Sequence, residues 1–126
     1  NNVINLDSFN GELIIINFWA TWCAPCREEM PSLDKLQKLN TLKNLRVIPI
    51  NVGQEKIEKS VNFFQELKIE NLELYFDNTI ALAKAFSLRG LPTSIIVNKK
   101  GEEIARIVGS IDFTNEKFIK WLSKFN

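Results

Sequence analysis

The chain has 126 residues, with 16 lysines and arginines against 15 aspartates and glutamates and a net charge of +1. This length, with 45% hydrophobic residues, is typical of one globular domain, which we place over residues 1–126. The near-neutral charge excludes broad electrostatic binding to nucleic acid, and the sequence has no run of residues apolar enough to cross a membrane.

The first part of the chain predicts two strands and a long helix. A short strand is expected at residues 3–6, followed by a turn at Asn10-Gly11. Residues 13–19 form a dense apolar run, which indicates a strand buried on both faces of a sheet. A helix is expected over residues 24–39, and Pro31 inside it predicts a kink.

The central part continues the alternation of strand and helix. Residues 46–52 predict a second buried strand, and apolar residues at helical spacing predict an amphipathic helix over residues 57–67. A short strand is expected at residues 72–76. Residues 77–79, with the sequence Asp-Asn-Thr, are typical N-caps for a helix over residues 80–86.

The last part predicts a hairpin and a closing helix. Strands over residues 93–97 and 103–108 are joined by a turn from Asn98 to Gly101. Thr114 is the expected N-cap of a final helix, whose apolar residues run to Phe125. The alternation of strands and helices along the whole chain predicts an α/β fold, in which a central mixed sheet is flanked by helices on both faces.

The chain has two cysteines, Cys23 and Cys26, and no histidine. A bridge between residues this close constrains the unfolded chain very little, so stapling is a poor explanation for the pair. Residues at i and i+3 in a helical turn lie about 5–6 Å apart, which is within disulfide range. We expect Cys23, at the helix N-terminus, to be the nucleophile, because unpaired N–H groups and the helix dipole stabilise its thiolate. Cys26, one turn inside, is then the buried resolving thiol of a dithiol exchange site.

Other uses of this cysteine spacing are weaker interpretations. Zinc needs four ligands, and the sequence offers neither a second cysteine pair nor a histidine. Covalent haem attachment needs a histidine where the chain has Arg27, and the same lack of histidine excludes His-based triads. An inert, half-buried cysteine pair remains the structural alternative. We therefore predict no metal and no cofactor.

The residues around the cysteines resemble a known family. Residues 16–27 read INFWATWCAPCR and resemble the active site of the thioredoxin superfamily. The continuation EEMPSL at residues 28–33 is similar to the TlpA/ResA/CcmG branch of thiol–disulfide oxidoreductases. Further matches are RGLPT at residues 89–93 and the pair Val108-Gly109. The resemblance implies a thioredoxin-like fold, in which residues 51–76 hold the extra helix and strand of the TlpA-type central insertion.

The resemblance also implies a substrate groove beside the cysteines. Pro92 is expected to follow a cis peptide bond and to face the pair, so that the backbone of Leu91 pairs with an extended substrate. Trp22 is expected to shield Cys23 and to offer a flat docking surface, and Gly109 is expected to line the groove. The structural alternatives are a proline at a strand start, a partly buried aromatic ring, which is compatible with the docking role, and a glycine in a β-bulge.

Three further residues are candidates for tuning the pair. Thioredoxins have a buried Asp where this chain has Asn17, which accepts no proton at neutral pH, so the general base is unassigned. TlpA-like proteins often have Asn at this place. Glu29, one turn beyond Cys26, is a tuning candidate, although a solvated charge on the helix face is the commoner interpretation. Pro25 suits the first helical turn, and the dipeptide Ala24-Pro25 lacks the histidine of strong oxidants, which favours a reducing pair.

The function that the resemblance implies is reduction of disulfides in exported proteins, in the maturation of cytochrome c or of oxidase copper sites. The reduction potential is then expected nearer that of thioredoxin, about −270 mV, than that of DsbA, about −120 mV. The expected partners are protein disulfides and dithiols and a membrane-bound thiol that donates electrons, with no nucleic acid. The alternatives are an oxidase or isomerase of envelope proteins, a cytosolic general thioredoxin, and a redox-inert binding module.

The expected location depends on what precedes residue 1. Because residue 1 is Asn rather than Met, we expect a processed or trimmed chain, with a signal peptide or anchor before it in the full-length protein. The resemblance implies the bacterial periplasm or cell envelope, where such an anchor supplies the contact with the membrane.

Overall fold

The computed structural model describes residue 9 and residues 11–126, so the strand expected at residues 3–6 lies outside the described residues. The described part contains five strands, which are β1 (Leu13–Trp19), β2 (Leu45–Asn51), β3 (Tyr75–Phe76), β4 (Thr93–Val97) and β5 (Glu103–Val108). It also contains four helices, which are α1 (Ala24–Lys38), α2 (Ile57–Glu66), α3 (Ala81–Ala85) and α4 (Glu116–Ser123). No helix in this part is both long and apolar enough to span a bilayer.

The strands form one mixed sheet in the order β3-β2-β1-β4-β5. The pairs β1–β2 and β2–β3 are parallel because a helical crossover connects each pair. The pairs β1–β4 and β4–β5 are antiparallel. The turn between β4 and β5 is closed by the Asn98 side chain, which accepts hydrogen bonds from the amides of Lys100 and Glu102, and by Gly101 at φ +85°. The predicted mixed sheet and hairpin are therefore confirmed.

The central strand β1 is apolar on both faces because helices cover both faces of the sheet. Ile15 and Trp19 point into a core that they share with α1, α2 and α4. Ile14 and Phe18 point to the opposite face and pack with the side chains of α3. This arrangement confirms the prediction of a doubly covered sheet, and it holds the end of β1, from which the cysteine loop leaves, between two cores.

Most predicted elements lie within one residue of the observed ones, but β3 is shorter than expected. A strand was predicted over residues 72–76, and only Tyr75 and Phe76 pair with β2. The preceding backbone turns toward α1 instead, because the buried carboxylate of Asp34 accepts hydrogen bonds from the amides of Glu70 and Asn71. α1 continues through Pro31 without a break, and the kink expected there stays a prediction.

Two helix caps were predicted, and one of them is wrong. Asp77 supplies the capping hydrogen bonds of α3, since its carboxylate accepts from the three backbone amides of residues 81–83, while the N-cap position itself is Ile80. Thr114 does not cap α4, because its amide and its hydroxyl both bond to the carboxylate of Asp112. The cap is Asn115, whose side-chain oxygen accepts hydrogen bonds from the amides of Lys117 and Phe118.

The correct cap of α4 can be tested by two alanine substitutions at neighbouring positions. We expect Asn115→Ala to lower the free energy of unfolding by about 1 kcal/mol, because two helix amides lose their acceptor. Thr114→Ala, the matched control, is expected to cost less because it removes only an exposed hydrogen bond to Asp112. Urea unfolding followed by circular dichroism measures both values. A larger loss in Thr114→Ala would restore Thr114 as the cap.

Candidate active site

The two cysteines lie where the loop after β1 enters α1. Cys23 is the N-cap residue of α1, and its Sγ accepts a hydrogen bond from the amide of Cys26 at 3.3 Å. The two residues form a disulfide across a Cα–Cα distance of 5.3 Å. Cys26 is fully buried, and Cys23 keeps 6% of its surface exposed. Cys23 is therefore both the more accessible sulfur and the one held at the positive end of the helix, where a thiolate is stabilised.

Trp22 immediately precedes the pair and is 68% exposed. The ring is thus mostly exposed, and its role in docking stays a prediction. A large apolar side chain in this position forms a contact surface directly beside the accessible sulfur.

Leu91 and Pro92 occupy the loop that enters β4. The peptide bond between them is cis, as the resemblance implied, and Pro92 is buried. Thr93, the next residue, pairs with Phe18 near the end of β1. This register places the Leu91-Pro92 loop at the same end of the sheet as the cysteine loop.

Gly109 follows the end of β5 and is tied to the same loop. Its amide donates a hydrogen bond to the carbonyl of Pro92 at 2.8 Å, and its φ of +99° favours glycine. The irregularity in the β4–β5 ladder lies at Ile96 and Val97, so the interpretation of Gly109 as a β-bulge is wrong. Around an ideal Cβ built on Gly109 there is open space, so this end of β5 faces a free surface beside Pro92.

A polar cluster lies inside the core beneath α1. The Asn17 side-chain nitrogen donates hydrogen bonds to Glu29 Oε2 and to Ser94 Oγ, each at 2.9 Å. Glu29 Oε1 accepts a hydrogen bond from the amide of Ile111 at 3.2 Å. Glu29 is only 2% exposed, so its interpretation as a solvated helix-face charge is wrong. It lies three residues beyond Cys26, which puts the two side chains on one face of α1.

Burial raises the pKa of Glu29 from 4.5 to about 7, against the opposing effect of its hydrogen bonds from Asn17 and Ile111. The carboxyl group therefore changes its protonation state near neutral pH. The Asn17 side-chain oxygen is buried and has no hydrogen-bond partner among the described residues. If the Asn17 side-chain amide flips, so that its oxygen and nitrogen exchange places, the oxygen can accept a hydrogen bond from protonated Glu29. Asn17 can thus serve both protonation states of Glu29.

A cleft gives this buried carboxyl group a route to solvent. Its volume is about 260 Å³, and its lining residues are Glu28, Glu29, Ser32, Ser110, Ile111 and Asp112. Since five of the six lining residues carry polar side chains, water can fill the cleft and exchange protons with Glu29.

A second polar cluster fixes the loop in front of Cys23, and the sequence analysis missed it. The Glu55 carboxylate accepts hydrogen bonds from the Thr21 amide and from the Asn51 side chain, each at 2.9 Å, and also from the Thr21 hydroxyl. Burial alone raises the pKa of Glu55, but these hydrogen bonds outweigh it and hold that pKa below its ordinary value. A Cβ on Gly53 would lie 2.7 Å from Glu55 Oε2 and 2.9 Å from the Ala20 Cβ. The loop after β2 is therefore packed tightly against the cysteine loop.

One sequence signal points to this second cluster. Asn51 ends β2, which is parallel to β1, and the loop with Thr21 follows the end of β1. The carboxyl ends of neighbouring parallel strands meet at one edge of a sheet, so polar residues just after them are brought together.

Comparisons with known proteins agree with this geometry. The Redoxin family model matches residues 1–117. The thiol-disulfide oxidoreductase ResA of Bacillus thuringiensis subsp. konkukian (strain 97-27) is 30% identical over 121 residues, which are 96% of this chain and 68% of that protein. ResA of Geobacillus kaustophilus (strain HTA426) is also 30% identical, over 106 residues, which are 84% of this chain and 60% of that protein. The chain thus spans about 60% of the length of several curated relatives that it matches.

A solved structure shows the same fold. The thiol:disulfide interchange protein of the thioredoxin family from Chlorobium tepidum TLS is 27% identical and superposes with a TM-score of 0.78. The superposition covers 93% of this chain and 83% of that structure. The similarity therefore extends over nearly the whole chain.

The raised pKa of Glu29 predicts a pH dependence of stability. Because the folded pKa of about 7 lies above the ordinary 4.5, folding favours the protonated form. This contribution is fully present below pH 4.5 and is lost as pH rises through about 7. We expect the free energy of unfolding to fall over this range by an amount on the order of 3 kcal/mol in the wild type. In Glu29→Gln this decrease in the free energy of unfolding should be absent. The Asn17 side-chain amide can flip there, so that its oxygen accepts a hydrogen bond from the NH₂ group of the new glutamine.

Urea unfolding of the oxidised protein from pH 4.5 to 8 measures this difference. Glu28→Gln is the matched control, because Glu28 is an exposed neighbour on the same helix. A wild type and a Glu29→Gln variant with parallel pH profiles would contradict the assignment.

The Glu55 cluster predicts a loss of stability on removal of its charge. Glu55→Gln leaves one acceptor oxygen for three donors, and we expect it to lower the free energy of unfolding by about 1–2 kcal/mol at pH 7. The wild-type contribution is present above the ordinary pKa of a glutamate and is lost as pH falls through the lowered folded value. Glu58→Gln, on the exposed first turn of α2, is the control. An equal loss in both variants at pH 7 would exclude a special role for Glu55.

Proposed function

The chain belongs to the Redoxin family and, within the thioredoxin superfamily, to its TlpA/ResA-like thiol–disulfide oxidoreductases, and from that membership we propose that it reduces disulfides of exported proteins through Cys23 and Cys26. One observation carries the proposal. Cys23, the less buried of the two cysteines, caps a helix N-terminus, and the fully buried Cys26 lies one helical turn behind it. This is the arrangement that dithiol exchange requires.

The reaction proceeds in two exchanges. The Cys23 thiolate attacks one sulfur of the client disulfide, so that a mixed disulfide forms and the other client cysteine leaves as a thiolate. Cys26 then loses its proton and attacks the Cys23 sulfur, which restores the Cys23–Cys26 disulfide and releases the second client thiolate. The client gains two electrons, and the cysteine pair loses two. A thiol donor must then reduce the pair before the next cycle.

We assign to Glu29 the role of accepting the proton that Cys26 loses. It shares a helix face with Cys26, and burial brings its pKa to about 7, between the values of a free carboxyl group and a thiol. The polar cleft beside it lets the proton leave to solvent. Asn17 acts through Glu29, because it supplies a hydrogen bond that holds the carboxyl group in place.

Trp22, Leu91, Pro92 and Gly109 are the residues that we assign to client binding. Trp22 offers an exposed apolar surface beside Cys23. The N–H and C=O of Leu91 make no backbone hydrogen bond among the described residues, so they remain available to an extended client segment. Pro92 and Gly109 hold the loop in this position through their own hydrogen bond.

The direction of electron flow, the electron donor and the location belong to the same proposal. The dipeptide Ala24-Pro25 brings neither a cation nor a histidine to the Cys23 thiolate, and this supports a reducing pair.

A membrane-bound thiol is the proposed donor. The proposed location is the periplasm or cell envelope, with a membrane attachment outside this sequence, and the proposed clients are proteins of cytochrome c or oxidase copper-site maturation. Over residues 1–126 we propose a single domain.

The roles of the two cysteines predict opposite behaviour of two serine variants. Cys23→Ser should lose all reduction of a disulfide peptide, because Cys26 is buried. Cys26→Ser should still attack and should accumulate the mixed disulfide with the peptide, since no resolving thiol remains. Mass spectrometry of the quenched reaction distinguishes the two. Full biological activity of Cys23→Ser in the cell, despite the loss of peptide reduction, would instead support a redox-inert binding module.

Equilibration of the wild type against glutathione tests the direction of the reaction. We expect a potential nearer about −270 mV than about −120 mV. A potential near about −120 mV would instead indicate that the protein is an oxidase.

A further inference from the structure

Two depressions of opposite charge lie at the active-site end of the molecule. The cleft over α1 carries the acidic residues Glu28, Glu29 and Asp112. The second depression, here named the arginine groove, has a volume of about 370 Å³ and is lined by Ser87, Arg89, Thr93, Arg106 and Val108. Its lining contains two guanidinium groups and no carboxylate.

The sheet register places the arginine groove directly beside the cis-proline loop. Thr93, which follows Pro92, pairs with Val108 on β5 and with Phe18 on β1. Gly109, which follows Val108, is bonded to the Pro92 carbonyl. A client segment that pairs with the Leu91 backbone therefore runs along the rim of this groove.

The two arginines of the groove differ in their surroundings. Arg106 is held by two hydrogen bonds to the Glu103 carboxylate, at 2.9 and 3.0 Å, and by one to the carbonyl of Phe86. Its charge is thus largely compensated and its position is fixed. Arg89 is exposed, and within the described part of the chain it forms no ion pair. Arg89 therefore supplies the uncompensated positive charge of the groove.

The other wall of the groove suits the stem of a side chain. Val108 is 59% exposed, which is unusual for a β-branched residue and gives the groove an apolar side. Ser87 adds a hydroxyl on the rim. A short side chain that combines an apolar stem with a carboxylate meets an apolar wall, a hydroxyl and a guanidinium in this space.

We propose that the arginine groove binds an aspartate or glutamate side chain of the client, close in sequence to the client cysteine. The inference rests on the proposed function and deepens it, because it names the class of disulfide that is reduced best. The carboxylates of Glu28 and Asp112 in the other cleft repel the same side chain, which favours the arginine groove as its binding site. Disulfides flanked by acidic residues are the preferred substrates, and those flanked by lysine or arginine are the poorest.

Three disulfide peptides, identical except for acidic, neutral or basic residues beside one cysteine, test the proposal. With the wild type at low ionic strength, kcat/KM should fall from the acidic to the neutral to the basic peptide, by about fivefold at each step. The differences should shrink in 0.5 M salt, because surface charge pairs are screened at a Debye length of about 3–10 Å. Arg89→Glu should reverse the order of the three peptides.

Lys100→Glu is the matched control. It makes the same change of charge at the turn between β4 and β5, the end of that hairpin far from Val108. It should leave the preference for the acidic peptide intact, and circular dichroism confirms that both variants are folded. Equal rates on the three peptides would contradict the proposal that the arginine groove binds an acidic side chain of the client. An equal effect of Lys100→Glu and Arg89→Glu would contradict it as well. If the wild type does not reduce even the neutral peptide, the proposed function fails and the groove fails with it.

Discussion

The hydrogen bonds to the buried carboxyl group of Glu29 hold together the segments that build the active site. An unpaired charge in an apolar core is costly, and the fold offsets part of that cost by aiming Asn17 and the Ile111 amide at the two oxygens. These bonds join three separate segments: the central strand β1, the helix that carries the cysteines, and the chain after β5. Ser32 strengthens the same junction, since it accepts a hydrogen bond from the Phe113 amide and donates one to the Glu29 carbonyl. The position of α1 above the sheet therefore follows from polar contacts as well as from packing.

Each loop around the cysteines is held by a specific polar contact. Glu55 holds the loop that leads into Cys23, and the bond between Gly109 and Pro92 holds the loop that leads into β4. Apolar packing alone tolerates small shifts of side chains, whereas a hydrogen bond is sensitive to angle and distance. For thiol exchange this matters, because three sulfur atoms must come into line and the Cys23 thiolate must stay at the end of the helix. Polar fixation of both loops supplies that rigidity while Trp22 and Leu91 remain open to a client.

The sequence predicted the parts of the molecule whose cause is local. Strands β1, β4 and β5 are continuous apolar or alternating runs, and the cysteine spacing at a helix start has one main chemical use, so these were found correctly. The predicted length of β3 was wrong because the Asp34 carboxylate on α1 holds the amides of Glu70 and Asn71 just before the predicted strand, and only Tyr75 and Phe76 then pair with β2. Glu29 was placed one turn beyond Cys26, but its burial was missed, because spacing alone does not reveal which face the 111–113 segment will cover. The contact of Thr21 with Glu55 joins two loops far apart in the chain, and only the strand order of the sheet brings them together.

The net charge of +1 conceals a separation of charge that bears on selectivity. Attack of one sulfur on another is much the same reaction for every client, so the cysteine pair by itself distinguishes clients poorly. Discrimination must come from contacts that reach beyond the sulfurs. In the proposed mode of binding, a client segment that pairs with Leu91 meets the arginine groove, whose uncompensated charge is Arg89. A near-neutral domain can in this way orient charged clients at its active site without attracting charged macromolecules in general.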